Sequence, residues 1–159
     1  MEKIVEIKNI SMNYHTLERE TLALKDLSFK VYKGDIVSIV SPSGCGKSTI
    51  LSIISGLLKS SSRKIIVNGE PVSSTNKTIG YMFQKDHYPR QLSGGMGQRV
   101  ALIRTLAIEP ELLLLNEPFS VLDYQTRLAV ANDIGSILKK EKKTAIMMTR
   151  DIKTGKFVI

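Results

Sequence analysis

DIVSIVSPSGCGKSTILSIISGLL, residues 35–58, joins two apolar runs of different period through a turn of small residues. The first run, DIVSIV (35–40), is nearly all apolar, as expected of a strand buried on both faces of a parallel sheet. From Lys47 the run KSTILSIISGLL reads as a helix of about three turns that stops near Gly56. Between them, SPSGCGKST (41–49) nearly completes the pattern G-x-x-x-x-G-K-[ST]. Gly44, Gly46, Lys47 and Ser48 stand where phosphate chemistry needs them, and Ser41 stands where glycine is usual. In such a loop, backbone N–H groups and the helix N-terminus converge on phosphate oxygens. Lys47 adds a full positive charge, and the Ser48 hydroxyl reaches Mg²⁺.

The same strand-to-helix rhythm continues outward. Alternation in KIVEIKNI (3–10) and LSFKVYKG (27–34) predicts two half-buried strands. KIIVNGEPV (64–72) reads as a strand entering a turn, and TIGYMFQ (78–84) as a further strand. A second helix is expected to open at Ser93 with Val100, Ile103, Leu106 and Ala107 on its buried face, and to end at Pro110. ELLLLNEP (111–118) and TAIMMT (144–149) are buried strands, and Asp123 caps a third helix that runs to about Lys139. Strands alternating with helices imply one α/β domain over residues 1–159 with a largely parallel sheet.

Composition narrows the classes. A chain of 159 residues with 42% hydrophobic content is long enough to bury a core and unlike a disordered one. No run approaches the roughly 18 apolar residues of a membrane span, and MEKIVEIKNI alternates charged and apolar residues, unlike a secretory leader. The single cysteine, Cys45, cannot form an internal disulfide, which suits a reducing compartment. It is either an activated thiol at a helix N-terminus or an inert small residue. The net charge of +8 is spread through clusters such as KKEKK (139–143), a solvated helix end. Without a basic stripe interleaved with aromatics, no nucleic-acid partner is expected.

Further motifs follow the loop in order. LSGGMGQRV (92–100), LLLLNEPFSVLD (112–123) and Gln84 closing a strand, together with 41–49, resemble the ATP-binding subunits of ABC transporters over roughly residues 2–152. The wording of SPSGCGKSTILSIISGLL and YPRQLSGGM is most similar to importer subunits for nitrate, sulfonate or taurine. The resemblance implies a P-loop NTPase core, with a largely parallel sheet flanked by helices and an N-terminal antiparallel β patch. It implies ATP and Mg²⁺ as ligands, with Ser41, Pro42, Ser43, Gly44, Cys45, Gly46, Lys47, Ser48 and Thr49 around the phosphates. Tyr14 would stack on adenine, or be an ordinary half-buried tyrosine. Gln84 would reach Mg²⁺ and the attacking water, or be a polar strand end. Ser48, Gln84 and Asn116 form the metal side, Glu117 polarises the water, and Arg150 occupies the position that contacts the γ-phosphate.

Leu92, Ser93, Gly94, Gly95 and Gln98 form the signature, which by resemblance faces ATP held by a second ATP-binding subunit, and Asp123 contacts that subunit. A membrane permease subunit is the other implied partner, placing the chain in the cytoplasm at the inner face of the membrane.

Five departures from the family pattern qualify the activity. Ser41 replaces Gly, Asn116 an Asp, Arg150 a His, and Gly97 a basic residue. The fifth is a gap: only KDHYPRQ separates Gln84 from Leu92, where the family carries a helical subdomain of several dozen residues. A left-handed backbone at Ser41 would cost about 1–2 kcal/mol. Losing the Asp charge beside a divalent cation costs several kcal/mol at an effective dielectric of about 20. Seven extended residues span at most about 25 Å and cannot build the arm that presents the signature. The chain is also expected to be short at its C-terminus, since it stops at GKFVI soon after Arg150. Two readings result: an importer ATPase subunit, or a nucleotide-binding remnant with little or no turnover.

Overall fold

The computed structural model describes residues 1–15, 20–42, 44, 46–59, 65–83, 94–120 and 122–150. In chain order its elements are β1 (Lys3–His15), β2 (Glu20–Tyr32), β3 (Ile36–Val40), α1 (Lys47–Ile54), β4 (Ile65–Val67), β5 (Glu70–Pro71), β6 (Ile79–Met82), α2 (Gly94–Leu106), β7 (Leu112–Asn116), α3 (Tyr124–Lys140) and β8 (Thr144–Thr149). They divide into two compact units, Met1–Lys33 with Ser43–Asn76, and Gly34–Pro42 with Lys77–Ile159.

The first unit holds an antiparallel sheet in the order β2-β1-β4-β5, together with α1. The expected half-buried alternation is corrected in β1: Ile4, Val5, Glu6 and Ile7 are buried in succession, so both faces of that stretch are covered, and Ile10, Leu24 and Val31 are buried as well. Both strands run further than the apolar alternation suggests, because polar side chains repair the irregular register. Asn9 and Asp26 both take left-handed backbone (φ 48°), and the register shifts between Ile7 and Ile10. There the Asn9 N–H donates to Ser28 Oγ (2.8 Å) and the Asp26 N–H to Ser11 Oγ (3.0 Å). Glu6, almost buried in β1, is held by Lys3 (3.0 Å) and Lys8 (3.1 Å), with Lys30 at 3.9 Å. The Lys3 hydrogen bond, then that of Lys8, keeps its carboxyl below the usual carboxylate range.

Helix α1 ends at Ile54, and the left-handed Gly56 (φ 78°) turns the chain. A Cβ at Gly56 would stand 2.2 Å from the Ser74 carbonyl oxygen, so only glycine fits this approach.

The second unit holds the parallel sheet β3-β8-β7-β6. Every residue of β7 and β8 is buried. Leu113, Leu115, Ala145 and Met147 on these strands, with Met82 of β6, share a core with Ala101 and Leu102 of α2 and Val130, Ala131, Ile134 and Leu138 of α3. The expectation that DIVSIV is buried on both faces is corrected. Among the described residues β3 pairs only with β8, at one end of this sheet; Ile36 to Ile39 are half-buried, and Val40 is 38% exposed.

The expected buried face of α2 is also corrected. Val100, Ile103 and Ala107 point outward, Ile103 being 61% exposed, whereas Gly97, Gln98, Ala101 and Leu102 are buried. Small residues face the core because α2 packs closely on β6: a Cβ at Gly80 would meet Thr105 Cγ2 at 2.9 Å. The helix ends at Leu106, before Pro110, in a turn with Glu109 left-handed (φ 50°). Asp123 caps α3 as expected, its Oδ1 accepting the Thr126 N–H at 3.1 Å. Among the described residues, no helix is long and apolar enough to cross a membrane.

Candidate functional site

Three parallel strands end side by side in the second unit, and their first residues beyond the sheet are those the motifs single out. Val40 of β3 pairs with Thr149 of β8, and Asn116 of β7 with Met148. Two backbone bonds extend the ladder: the Ser41 N–H donates to the Thr149 carbonyl (3.2 Å) and the Glu117 N–H to that of Met148 (2.8 Å). Ser41, Asn116–Glu117 and Thr149–Arg150 therefore line the carboxyl edge of the sheet, where open α/β folds bind ligands.

Glu117 is buried with left-handed backbone (φ 49°). Its Oε1 lies 3.3 Å from the Nε of Arg150. A cavity of about 320 Å³ opens here, lined by Glu117, Phe119, Ser120, Arg127, Thr149 and Arg150. Arg127 is anchored where its guanidinium donates to the Leu122 carbonyl at 2.9 Å.

The loop itself leaves the second unit at Pro42 and enters the first at Ser43. Gly44 (φ 79°) and Gly46 (φ 77°) are left-handed, and Gly46 caps α1 with its backbone alone. Lys47 follows on the first turn of α1 and is only 7% exposed; Ser48 is exposed and Thr49 buried. Ser41 is not among the described residues with left-handed backbone, so the conditional penalty for its side chain does not apply.

The remaining expected site residues are spread more widely. Tyr14 sits on β1 opposite Thr21. Gly94 and Gly95 open α2, and Gln98 is buried one turn on. Asp123 is exposed, and its bond from Thr126 holds its carboxyl below the usual range. Ser43, Cys45, Gln84, Leu92 and Ser93, and the side chain of Tyr14, lie outside the described residues. The sequence reading missed Thr149, Ser120 and Arg127 as cavity-lining groups. Thr149 was legible as the last residue of TAIMMT, next to Arg150; nothing local marked Ser120 or Arg127.

The ABC transporter family matches residues 24–91 and 85–120. The chain is 35% identical to the uncharacterized ABC transporter ATP-binding protein YtlC of Bacillus subtilis, covering 93% of this chain and 74% of that protein. It is 32% identical to the aliphatic sulfonates import ATP-binding protein SsuB of Bacillus cereus, covering 93% and 75%. Among solved structures, the ATP-binding cassette MJ0796, dimeric in a post-hydrolysis state bound to ADP and Pi, has a TM-score of 0.83 at 26% identity, over 97% of this chain and 91% of that one. The two family matches overlap at 85–91, between β6 and α2. The alignment with the Bacillus subtilis protein spans 192 positions, of which 93% of 159 residues fills about 148, leaving about 44 facing a gap.

Proposed function

Because this chain belongs to the ABC transporter family, whose ATP-binding cassettes are ATPases, we propose that it is the ATP-binding subunit of an importer, with Lys47 and the 41–49 loop holding the nucleotide phosphates. The observation that carries this reading is the turn into α1. Left-handed Gly44 and Gly46 deliver a nearly buried lysine to the first turn of a helix, where cationic charge and backbone N–H groups favour phosphate. Tyr14 stacks on the base. The importer role is supported by the sulfonate-import relative.

In this reading Glu117 orients and polarises the attacking water, and Gln84 assists it. The donor chemistry fits Mg²⁺ in a weakened form: the Ser48 hydroxyl, the Gln84 amide and the Asn116 amide are all oxygen donors, and none carries charge. Bound Mg²⁺ would neutralise phosphate charge; the chain's own part is to supply those oxygens. The signature residues Leu92, Ser93, Gly94, Gly95 and Gln98 face a second subunit's nucleotide, Asp123 touches that subunit, and a membrane permease completes the assembly at the cytoplasmic face.

Two observations favour slow turnover. Glu117 is already engaged by Arg150, and the gap of about 44 positions is best accounted for by loss of the helical subdomain between 84 and 92. In-line attack needs the γ-phosphate enclosed on all sides, and half of that enclosure comes from a partner's signature.

The test is ATP binding and hydrolysis measured side by side on the purified chain. ATP should bind and Lys47→Ala should abolish most of that affinity, while hydrolysis stays far below that of an intact relative. Asn116→Asp with Arg150→His should leave hydrolysis slow until a helical segment is rebuilt between Gln84 and Leu92. Equal ATP affinity in wild type and Lys47→Ala sinks the reading; full hydrolysis in the double revertant alone sinks the role given to the missing segment.

A further inference from the structure

A second cavity lies wholly within the first unit, and the nucleotide reading makes no use of it. It measures about 450 Å³, and the described residues that line it all fall between Ile53 and Ser73. That volume is within the roughly 300–1,000 Å³ of small-molecule sites.

Backbone bonds give the cavity its shape. The Val72 N–H donates to the Ile65 carbonyl (3.0 Å), which holds the chain after β5 beside β4, and the Leu58 N–H returns to the Ser52 carbonyl of α1 (3.0 Å). Between them, Gly56 brings the turn so close to the Ser74 backbone that no Cβ fits there. The walls are therefore formed before a ligand arrives.

The lining changes character with depth. Ile53 and Ile65 are buried, Leu58 and Val72 are half-buried, and the polar Lys59 and Ser73 are exposed. Such a gradient suits an occupant with an apolar body and one polar head that stays at the surface, where a charge keeps its hydration. The local charge selects the sign of that head. No carboxylate lines the cavity among the described residues, and across 53–73 the sequence sets Lys59, Arg63 and Lys64 against a single acid, Glu70. Glu70 precedes the cavity-lining Pro71 on β5, so strand alternation turns it to the other face.

We propose that this cavity binds a small amphipathic anion, a monocarboxylate whose apolar body lies on Ile53, Leu58, Ile65 and Val72 and whose carboxylate meets the Lys59 ammonium and the Ser73 hydroxyl. The site gives the chain a ligand other than nucleotide, and it does not rest on the ATP-binding reading.

The experiment titrates octanoate, 1-octanol and octylamine, which share one body and differ in head group, into the full chain and follows its methyl signals by ¹H–¹³C NMR. Octanoate should move the methyl signals of Ile53, Leu58, Ile65 and Val72 saturably and give intermolecular NOEs to them. In wild type 1-octanol should bind about fivefold more weakly than octanoate, the scale of one exposed ion pair, and octylamine more weakly still. Lys59→Glu should reverse that order, so that octylamine binds more tightly than octanoate. A gain of octylamine binding also shows that the variant is folded. Lys59→Gln should bring octanoate down to the level of 1-octanol. Equal affinity for the three compounds in wild type, or an order unchanged by Lys59→Glu, overturns the anion site. Octanoate that gives no saturable shift, or NOEs only to methyl groups elsewhere, overturns the cavity as its place of binding.

Discussion

The turns that follow β3 and β7 both take the chain off the carboxyl edge through left-handed backbone, and they do so with opposite residues. After β3 the left-handed positions are Gly44 and Gly46; after β7 the position is Glu117. At a glycine that conformation is nearly free, and at Glu117 it costs about 1–2 kcal/mol. Left-handed residues other than glycine also occur at Asn9, Asp26, Asn68, Glu109 and Lys142, but those are exposed or half-buried. Glu117 alone in that set combines the strain with burial and an ion pair. After β3 the left-handed turn is made by glycines, whereas after β7 it carries a buried, ion-paired carboxylate, and strain of that kind is a mark of functional positions.

Substitutions test that contrast in order of size. Gly56→Ala should do the most damage, because its Cβ would meet the Ser74 backbone as well as adopt a left-handed conformation; a loss of about 3 kcal/mol or more is expected in denaturant unfolding. Lys47→Ala should weaken ATP binding at least tenfold, about 1.4 kcal/mol or more, by calorimetry. Gly44→Ala isolates conformation from crowding, since its Cβ would meet nothing within 4 Å, and should cost only about 1 kcal/mol of stability. A Gly44→Ala loss as large as that of Gly56→Ala would show that the loop is crowded and break the contrast.

Smaller effects follow. Asp123→Asn should lower the melting temperature slightly at neutral pH. The folded-state carboxyl is held below its unfolded value by Thr126, so its contribution is present above the ordinary aspartate range and is lost as pH falls through the depressed value. The difference between wild type and Asp123→Asn should accordingly shrink on acidification, and a constant difference would remove the charge from the cap. Ser41→Gly should change ATP affinity least, by about twofold at most, because no left-handed strain is relieved there. A large gain would reopen position 41 as a defect of the loop.

Legibility tracked how strongly each residue's environment is fixed by local sequence. Continuous apolar runs gave β7 and β8, and Asp123 gave the start of α3, because both signals are local. The buried face of α2 was misread because its core positions are Gly97, Gln98, Ala101 and Leu102 while Val100 and Ile103 face outward; hydropathy cannot rank a glycine above an isoleucine when close packing on Gly80 makes the choice. β3 looked fully buried because apolar content does not reveal a strand's place in the sheet. At the site, the spacing of the 41–49 loop pointed to Lys47 and the family resemblance to Glu117 and Arg150, but the pairing of Glu117 with Arg150 and the approach of Arg127 depend on which strands are neighbours.

The outward face of α2 has a chemical corollary. Met96 is 51% exposed and shares a face with Val100 and Ile103, whereas Met82, Met147 and Met148 are buried. Dilute peroxide should therefore convert Met96 to its sulfoxide well before those three. That selectivity makes one sulfur atom a footprint of the helix surface: whatever comes to rest on α2 in an assembled complex will slow the oxidation of Met96, and peptide mass spectrometry will record it.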